Sequence, residues 1–187
     1  MRIAVAGLGE KGKTLDFEEA PERFPGLLES CEREGIRILA PIRVSLLAYR
    51  VAGMVEVEGG VETVVELRCG RCTASFESPL SDDLTLTYSK ELPEIEVEGP
   101  GGEEEGVELS AEEMGIVLYQ GEEIDLRPAV QEQILLALPL SPLCSRLCKG
   151  LCPRCGVDLN RQQCECGPSD FNIKFAALKD LKIKPSK

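Results

Sequence analysis

Nine cysteines, at positions 31, 69, 72, 144, 148, 152, 155, 164 and 166, are the residues of this sequence best suited to chemistry. Two pairs have the form of metal knuckles, Cys69-Gly70-Arg71-Cys72 and Cys152-Pro153-Arg154-Cys155-Gly156. Two intervening residues let both sulfurs face one ion at about 2.3 Å while N–H groups of the turn point at sulfur. Cys144, Cys148, Cys164 and Cys166 supply four more thiols, so eight suit one or two zinc ions and Cys31 is left as a buried small residue. The expected allocation puts Cys69, Cys72, Cys152 and Cys155 on one ion and Cys144, Cys148, Cys164 and Cys166 on the other. The competing arrangement closes a local site from Cys152, Cys155, Cys164 and Cys166.

Other uses of these thiols fit less well. Met1 to Ala6 is too short an apolar start for a signal peptide and no run of 18 apolar residues occurs, so a cytoplasmic protein without a membrane partner is expected. Thiols stay reduced there, and an odd cysteine count fits metal ligands better than disulfides. An iron–sulfur or thiol redox protein is the alternative. Cys148-x3-Cys152-x2-Cys155 spells the cluster signature of radical enzymes that use S-adenosylmethionine, but only 32 residues follow Cys155, where those enzymes need a large barrel.

Catalysis by side chains has little to work with. Histidine is absent, which removes the usual general base and the commonest nitrogen ligand. Asp82 and Asp83 sit at an expected strand start without forming a catalytic pair, and no nucleophile stands beside a base, so the chain is expected not to be an enzyme. Gly7-Leu8-Gly9-Glu10-Lys11-Gly12-Lys13-Thr14 matches a phosphate-binding loop by pattern. Its context does not fit: Pro21 and Pro25 interrupt the helix that should follow, the later strands look antiparallel, and no buried strand ends in a magnesium-holding Asp. No nucleotide cofactor is expected.

The net charge of −12 is uneven. Ser81 to Asp125 holds fifteen acids and one base, whereas Cys144 to Lys187 holds nine bases and four acids. A general basic surface for a polyanion is therefore excluded, and only the tail can meet phosphates locally. Lys149, Arg154 and Arg161 are its best-placed cations for RNA or a partner. The stretch 93–106, with Glu103-Glu104-Glu105, reads as an acidic loop.

The elements that must position these residues follow from pattern. A helix is expected from Pro25 to Glu34, stopped by Gly35. Val44, Leu46 and Ala48, then Val51, Val55 and Val57, then Val61, Val65 and Leu67, then Leu84, Leu86 and Tyr88 alternate as antiparallel strands do. Glu58-Gly59-Gly60 reads as a hairpin turn between two of them. Asp125 caps a helix near 126–138 with the apolar stripe Val130, Ile134, Leu135 and Leu138, and Phe171, Phe175 and Leu178 mark a short closing helix. The fold class is α+β: an antiparallel sheet or partly closed barrel, a packed helix and a cysteine-rich zinc-binding C-terminal segment. Residues 1–138 form the β-rich core and 139–187 the tail, integrated as one domain.

These residues together resemble the YceD family of large ribosomal RNA subunit accumulation proteins. The resemblance rests on Leu67-x-Cys69-x-Arg71-Cys72, Glu123-Ile124-Asp125-Leu126, Ile134-Leu135-Leu136-Ala137-Leu138-Pro139, Cys148-x-Gly150-Leu151-Cys152-Pro153-x-Cys155-Gly156-x-x-Leu159-Asn160 and Phe175-Ala176-Ala177-Leu178-Lys179. It implies a role in ribosomal RNA synthesis, processing or large-subunit assembly, with ribosomal RNA, a ribosomal protein or an assembly factor as partner. It also implies an ordinary N-terminal strand and loop over Met1 to Phe17.

Overall fold

A computed structural model describes residues 1–91 and 115–166. The acidic loop at 93–106 and the closing helix around Phe171, Phe175 and Leu178 lie outside the described residues. The chain divides into two compact units, one of Met1–Leu67 with Phe76–Leu140, the other of Arg68–Ser75 with Ser141–Lys187. The first cysteine knuckle thus groups with the C-terminal segment, not with the residues around it in sequence.

The elements in order are β1 (Arg2–Ala4), β2 (Lys13–Glu19), α1 (Pro25–Arg33), β3 (Arg37–Ile38), β4 (Ile42–Val51), β5 (Met54–Arg68), β6 (Ser75–Ser89), β7 (Ile116–Leu118), β8 (Glu123–Asp125) and α2 (Arg127–Ala137). Strands β2, β4, β5, β6 and β7 lie side by side in that order, with β3 also on β5, and β1 pairs with β8 as a separate ribbon. The fold is α+β as expected. The sheet is open and mixed, because β7 runs parallel to β6, and the described strands do not close into a barrel.

Period-two burial holds along the central strands: Val44, Leu46, Ala48, Val55, Val57, Val61, Val65, Leu67, Leu84 and Tyr88 are all buried. Ile3, Ile124, Phe24, Leu27, Val130 and Ile134 join them in one apolar cluster, so both helices and the β1–β8 ribbon share one core with the sheet. Leu126 is the capping position of α2, and Asp125 acts beside it as expected in kind: Asp125 Oδ1 accepts the N–H of Arg127 at 3.1 Å.

Two local expectations change. The turn between β4 and β5 is Ala52-Gly53, where φ is +49° and +84°, the signs a two-residue type I′ turn needs. Glu58-Gly59-Gly60 lies inside β5, with Gly59 opposite Leu46. A Cβ on Gly59 would stand 2.0 Å from the Ser45 carbonyl oxygen, so the glycine admits the neighbouring backbone. Gly59→Ala is therefore expected to destabilise the first unit by about 3 kcal/mol through overpacking, read as a lowered midpoint in thermal unfolding. Asp82 and Asp83 lie within β6, where Asp82 accepts Gln133 Nε2 at 2.8 Å. Lys13 and Thr14 open β2, antiparallel to β4, so the glycine-rich run leads into a strand where a phosphate loop leads into a helix.

Candidate metal centres

The first knuckle fills the gap between the end of β5 and the start of β6. Its turn is closed by Cys69 N–H on the Ala74 carbonyl and Thr73 N–H on the Cys69 carbonyl, both at 2.9 Å. Arg71 holds the second half of the site: its Nη1 donates to the Cys148 carbonyl at 3.0 Å and its own carbonyl accepts Leu151 N–H at 3.1 Å. Gly70 N–H donates to the Pro142 carbonyl at 2.8 Å. Gly150, at φ +75°, lets this strand of chain approach, since a Cβ there would be 3.1 Å from the Arg71 oxygen. These contacts bring together the sulfurs of Cys69, Cys72, Cys144 and Cys148, with Cys69 and Cys148 at 3.7 Å and Cys72 and Cys144 at 3.6 Å.

The second knuckle repeats the turn. Cys152 N–H donates to the Val157 carbonyl at 2.8 Å, and Gly156 N–H to the Cys152 carbonyl at 2.9 Å. Cys164 approaches Cys152 to 3.4 Å, and Cys155 and Cys166 complete a second group. In each group all four sulfurs lie within 4.8 Å of one another.

Four sulfurs at about 2.3 Å from a common centre stand about 3.8 Å apart, so both groups match one tetrahedrally bound ion. They lie too close to ligate the separate corner irons of a multi-iron cluster, and all nine cysteines are unbridged. Each cluster can hold a metal ion. The grouping corrects the expected allocation: Cys69 and Cys72 share a centre with Cys144 and Cys148, and the local Cys152, Cys155, Cys164 and Cys166 arrangement is the one formed. Cys31 stands apart in α1, where burial pushes its thiol up.

Charge is distributed alike in both clusters. Backbone N–H groups of Cys144 and Cys72 pull the Cys69 thiol down to about 6, and those of Cys155 and Arg154 do the same for Cys152. Other thiols of the clusters resist ionisation: Cys144 is pushed up to about 12 by its bond with Cys72 and by desolvation, and Cys166 to about 12 by its bond with Cys155 and by desolvation. Cys164 is raised by Cys152 and by desolvation. Cys69 and Cys152 thus ionise readily, and a divalent cation at the centre is what favours loss of the protons that Cys144, Cys164 and Cys166 hold.

The profile of the family described as large ribosomal RNA subunit accumulation protein YceD matches residues 57–182, which contain all eight clustered cysteines. The chain belongs to the YceD family. Within this family it is 28% identical over 167 residues to the large ribosomal RNA subunit accumulation protein YceD of Haemophilus influenzae, covering 84% of this chain and 83% of that one. An uncharacterised protein of Mycobacterium tuberculosis is 31% identical over 163 residues, covering 85% and 70%. The chloroplastic YCED homolog 1 of Arabidopsis thaliana is 25% identical over 156 residues, 76% of this chain and 49% of the plant protein. The chain spans about half the length of its plant relatives, 49% and 57% for the two matched. No solved structure matches. No described helix is long and apolar enough to cross a membrane.

In this YceD-family chain the three expected partner-binding cations, Lys149, Arg154 and Arg161, are all exposed, and Arg161 pairs through Nε with Asp158 Oδ2 at 3.5 Å. Sequence reasoning missed the polar side chains that hold the clusters. Asn160 donates from Nδ2 to Cys148 Sγ at 3.3 Å and to Asp158 Oδ1 at 2.7 Å, and Arg71 clamps the Cys148 carbonyl. Both residues occur in the motif runs that carry the family resemblance, which is the signal that pointed to them without giving a role.

Proposed function

We propose that this chain is a non-enzymatic zinc-binding factor of the cytoplasm that supports accumulation of large-subunit ribosomal RNA, or ribosome biogenesis, by binding RNA or a ribosomal protein. The observation that carries the reading is the pair of four-thiol clusters inside the residues matched to a family described by large ribosomal RNA subunit accumulation. An all-sulfur tetrahedral donor set suits zinc, and four protein thiolates leave no open position for a reacting water. The ions then serve to fix a surface.

Two zinc ions per chain are expected by elemental analysis of colourless protein; a brown, iron-containing sample would support the iron–sulfur alternative. In a strain lacking the protein, large-subunit ribosomal RNA is expected to fall and to recover with the wild type but not with a metal-free cysteine variant. Unchanged ribosomal RNA after deletion would overturn the functional reading.

The binding surface is testable through charge. Each zinc tetrathiolate carries −2 and offsets the basic residues around it, so local cations matter more than net charge. If Lys149 and Arg154 each meet an RNA phosphate, Lys149→Glu with Arg154→Glu is expected to reduce the slope of log affinity against log salt by about 2. A slope unchanged in the variant would show that neither side chain meets a phosphate.

A further inference from the structure

We infer that Asn160 couples the two metal centres, so that the ions load cooperatively. The inference rests on the zinc reading above. Asn160 lies between Cys155 and Cys164, inside the loop closed by the second cluster, yet its side chain serves Cys148 of the first. Its amide has a defined orientation. Nδ2 faces two acceptors, Cys148 Sγ at 3.3 Å and Asp158 Oδ1 at 2.7 Å, and Oδ1 accepts Lys149 N–H at 2.8 Å. The flipped amide would set a donor against the Lys149 N–H and an oxygen against the Asp158 carboxylate.

The loop that presents Asn160 is anchored at three levels. Asp158 accepts Asn160 N–H at 2.9 Å through Oδ1, and its carbonyl accepts Arg161 and Gln162 N–H, both at 3.1 Å. Leu159 N–H donates to the Gly150 carbonyl at 2.9 Å, and Leu151 bridges Asp158. Beyond these, the loop is tied at both ends by Cys155 and Cys164, which a metal in the second cluster would hold together. An ion there orders the loop and places the amide, and the amide's N–H then stabilises the Cys148 thiolate that the first ion needs. Outer-shell donors of this kind set metal affinity, and coupling between two sites is reciprocal.

The test is native mass spectrometry of the full chain, stripped under reducing conditions and titrated with Zn²⁺ or Co²⁺. At half loading the wild type is expected to hold mainly no ion or two. Asn160→Ala is expected to weaken the first cluster by about 10–100-fold and to accumulate one-ion species. Asn160→Asp, which keeps the size but removes the N–H donor, should do the same. Cys164→Ser with Cys166→Ser should weaken the first cluster by a similar factor, and adding Asn160→Ala to that variant should cost little more. Wild type that accumulates one-ion species as Asn160→Ala does, or a first cluster unchanged in either variant, would overturn the coupling. A wild-type chain that takes up neither metal overturns the zinc reading itself and the coupling with it.

Discussion

Removing the ions with a chelator under reducing conditions is expected to unfold Arg68–Ser75 and residues 141–166 while the sheet of the first unit stays folded. Each unit's own interior sets this difference. The apolar cluster of the first unit runs from Ile3 through the sheet valines to Ile134. In the second, the buried side chains among the described residues are those of Cys69, Cys72, Cys148 and Cys152, and Leu147 is 86% exposed. Ordering roughly thirty residues at about 1–2 kcal/mol each has little aliphatic burial to offset it, since Leu143, Leu151, Val157 and Leu159 are only partly buried. Structural zinc contributes about 10–16 kcal/mol per site at neutral pH, enough to matter at this scale. Hydrogen exchange reads the outcome directly: the Cys69, Cys152 and Gly156 amides, which close the knuckle turns, should lose protection, while amides from Val55 to Leu67 keep it. Acidification should act in the same direction. Thiolates must stay deprotonated to ligate, so ion affinity falls as pH falls. Knuckle amides that remain protected after chelation would show that the segment folds on its own.

The strands of the first unit were legible because one face of the sheet is buried, which forces Val44, Leu46 and Ala48 to alternate with exposed neighbours. Strand β2 was harder to read, since Leu15 and Phe17 are only partly buried and its first residues, Lys13 and Thr14, complete the glycine-rich match to a phosphate-binding loop. The misplaced hairpin carries a clue in its parity. A turn at Gly59-Gly60 would pair Glu58 with Val61 on one face, whereas Val55, Val57 and Val61 keep one phase along a single strand. Strands of three residues such as β7 and β8 leave no pattern to read. For the clusters, spacing marked the two knuckles but not their partners, because Cys69 and Cys72 are joined to Cys144 and Cys148 through space by Arg71 and Gly70. The outer shell is hidden for the same reason: nothing about Asn160 in sequence says which sulfur it faces.

Paired cysteine substitutions should separate the observed grouping from the crossed one that spacing suggests. Cys69→Ser with Cys144→Ser removes two ligands of a single cluster, so one zinc ion per chain should remain. Cys144→Ser with Cys164→Ser removes one ligand from each cluster, and both sites should be lost or severely weakened. In the crossed allocation the outcomes exchange: the first pair would damage both ions, and the second would spare one. Serine preserves size but offers a poor ligand for a soft thiolate site, so the contrast reads coordination with little change in packing. Reciprocal coupling lowers the surviving site's affinity in the first variant. Titration at protein concentrations well above the dissociation constant should still fill it. Elemental analysis after gel filtration counts the ions, and protection of the Cys152 and Gly156 amides in Cys69→Ser with Cys144→Ser confirms which cluster survived. Two ions lost from that variant, with one kept in Cys144→Ser and Cys164→Ser, would contradict the grouping of the sulfurs.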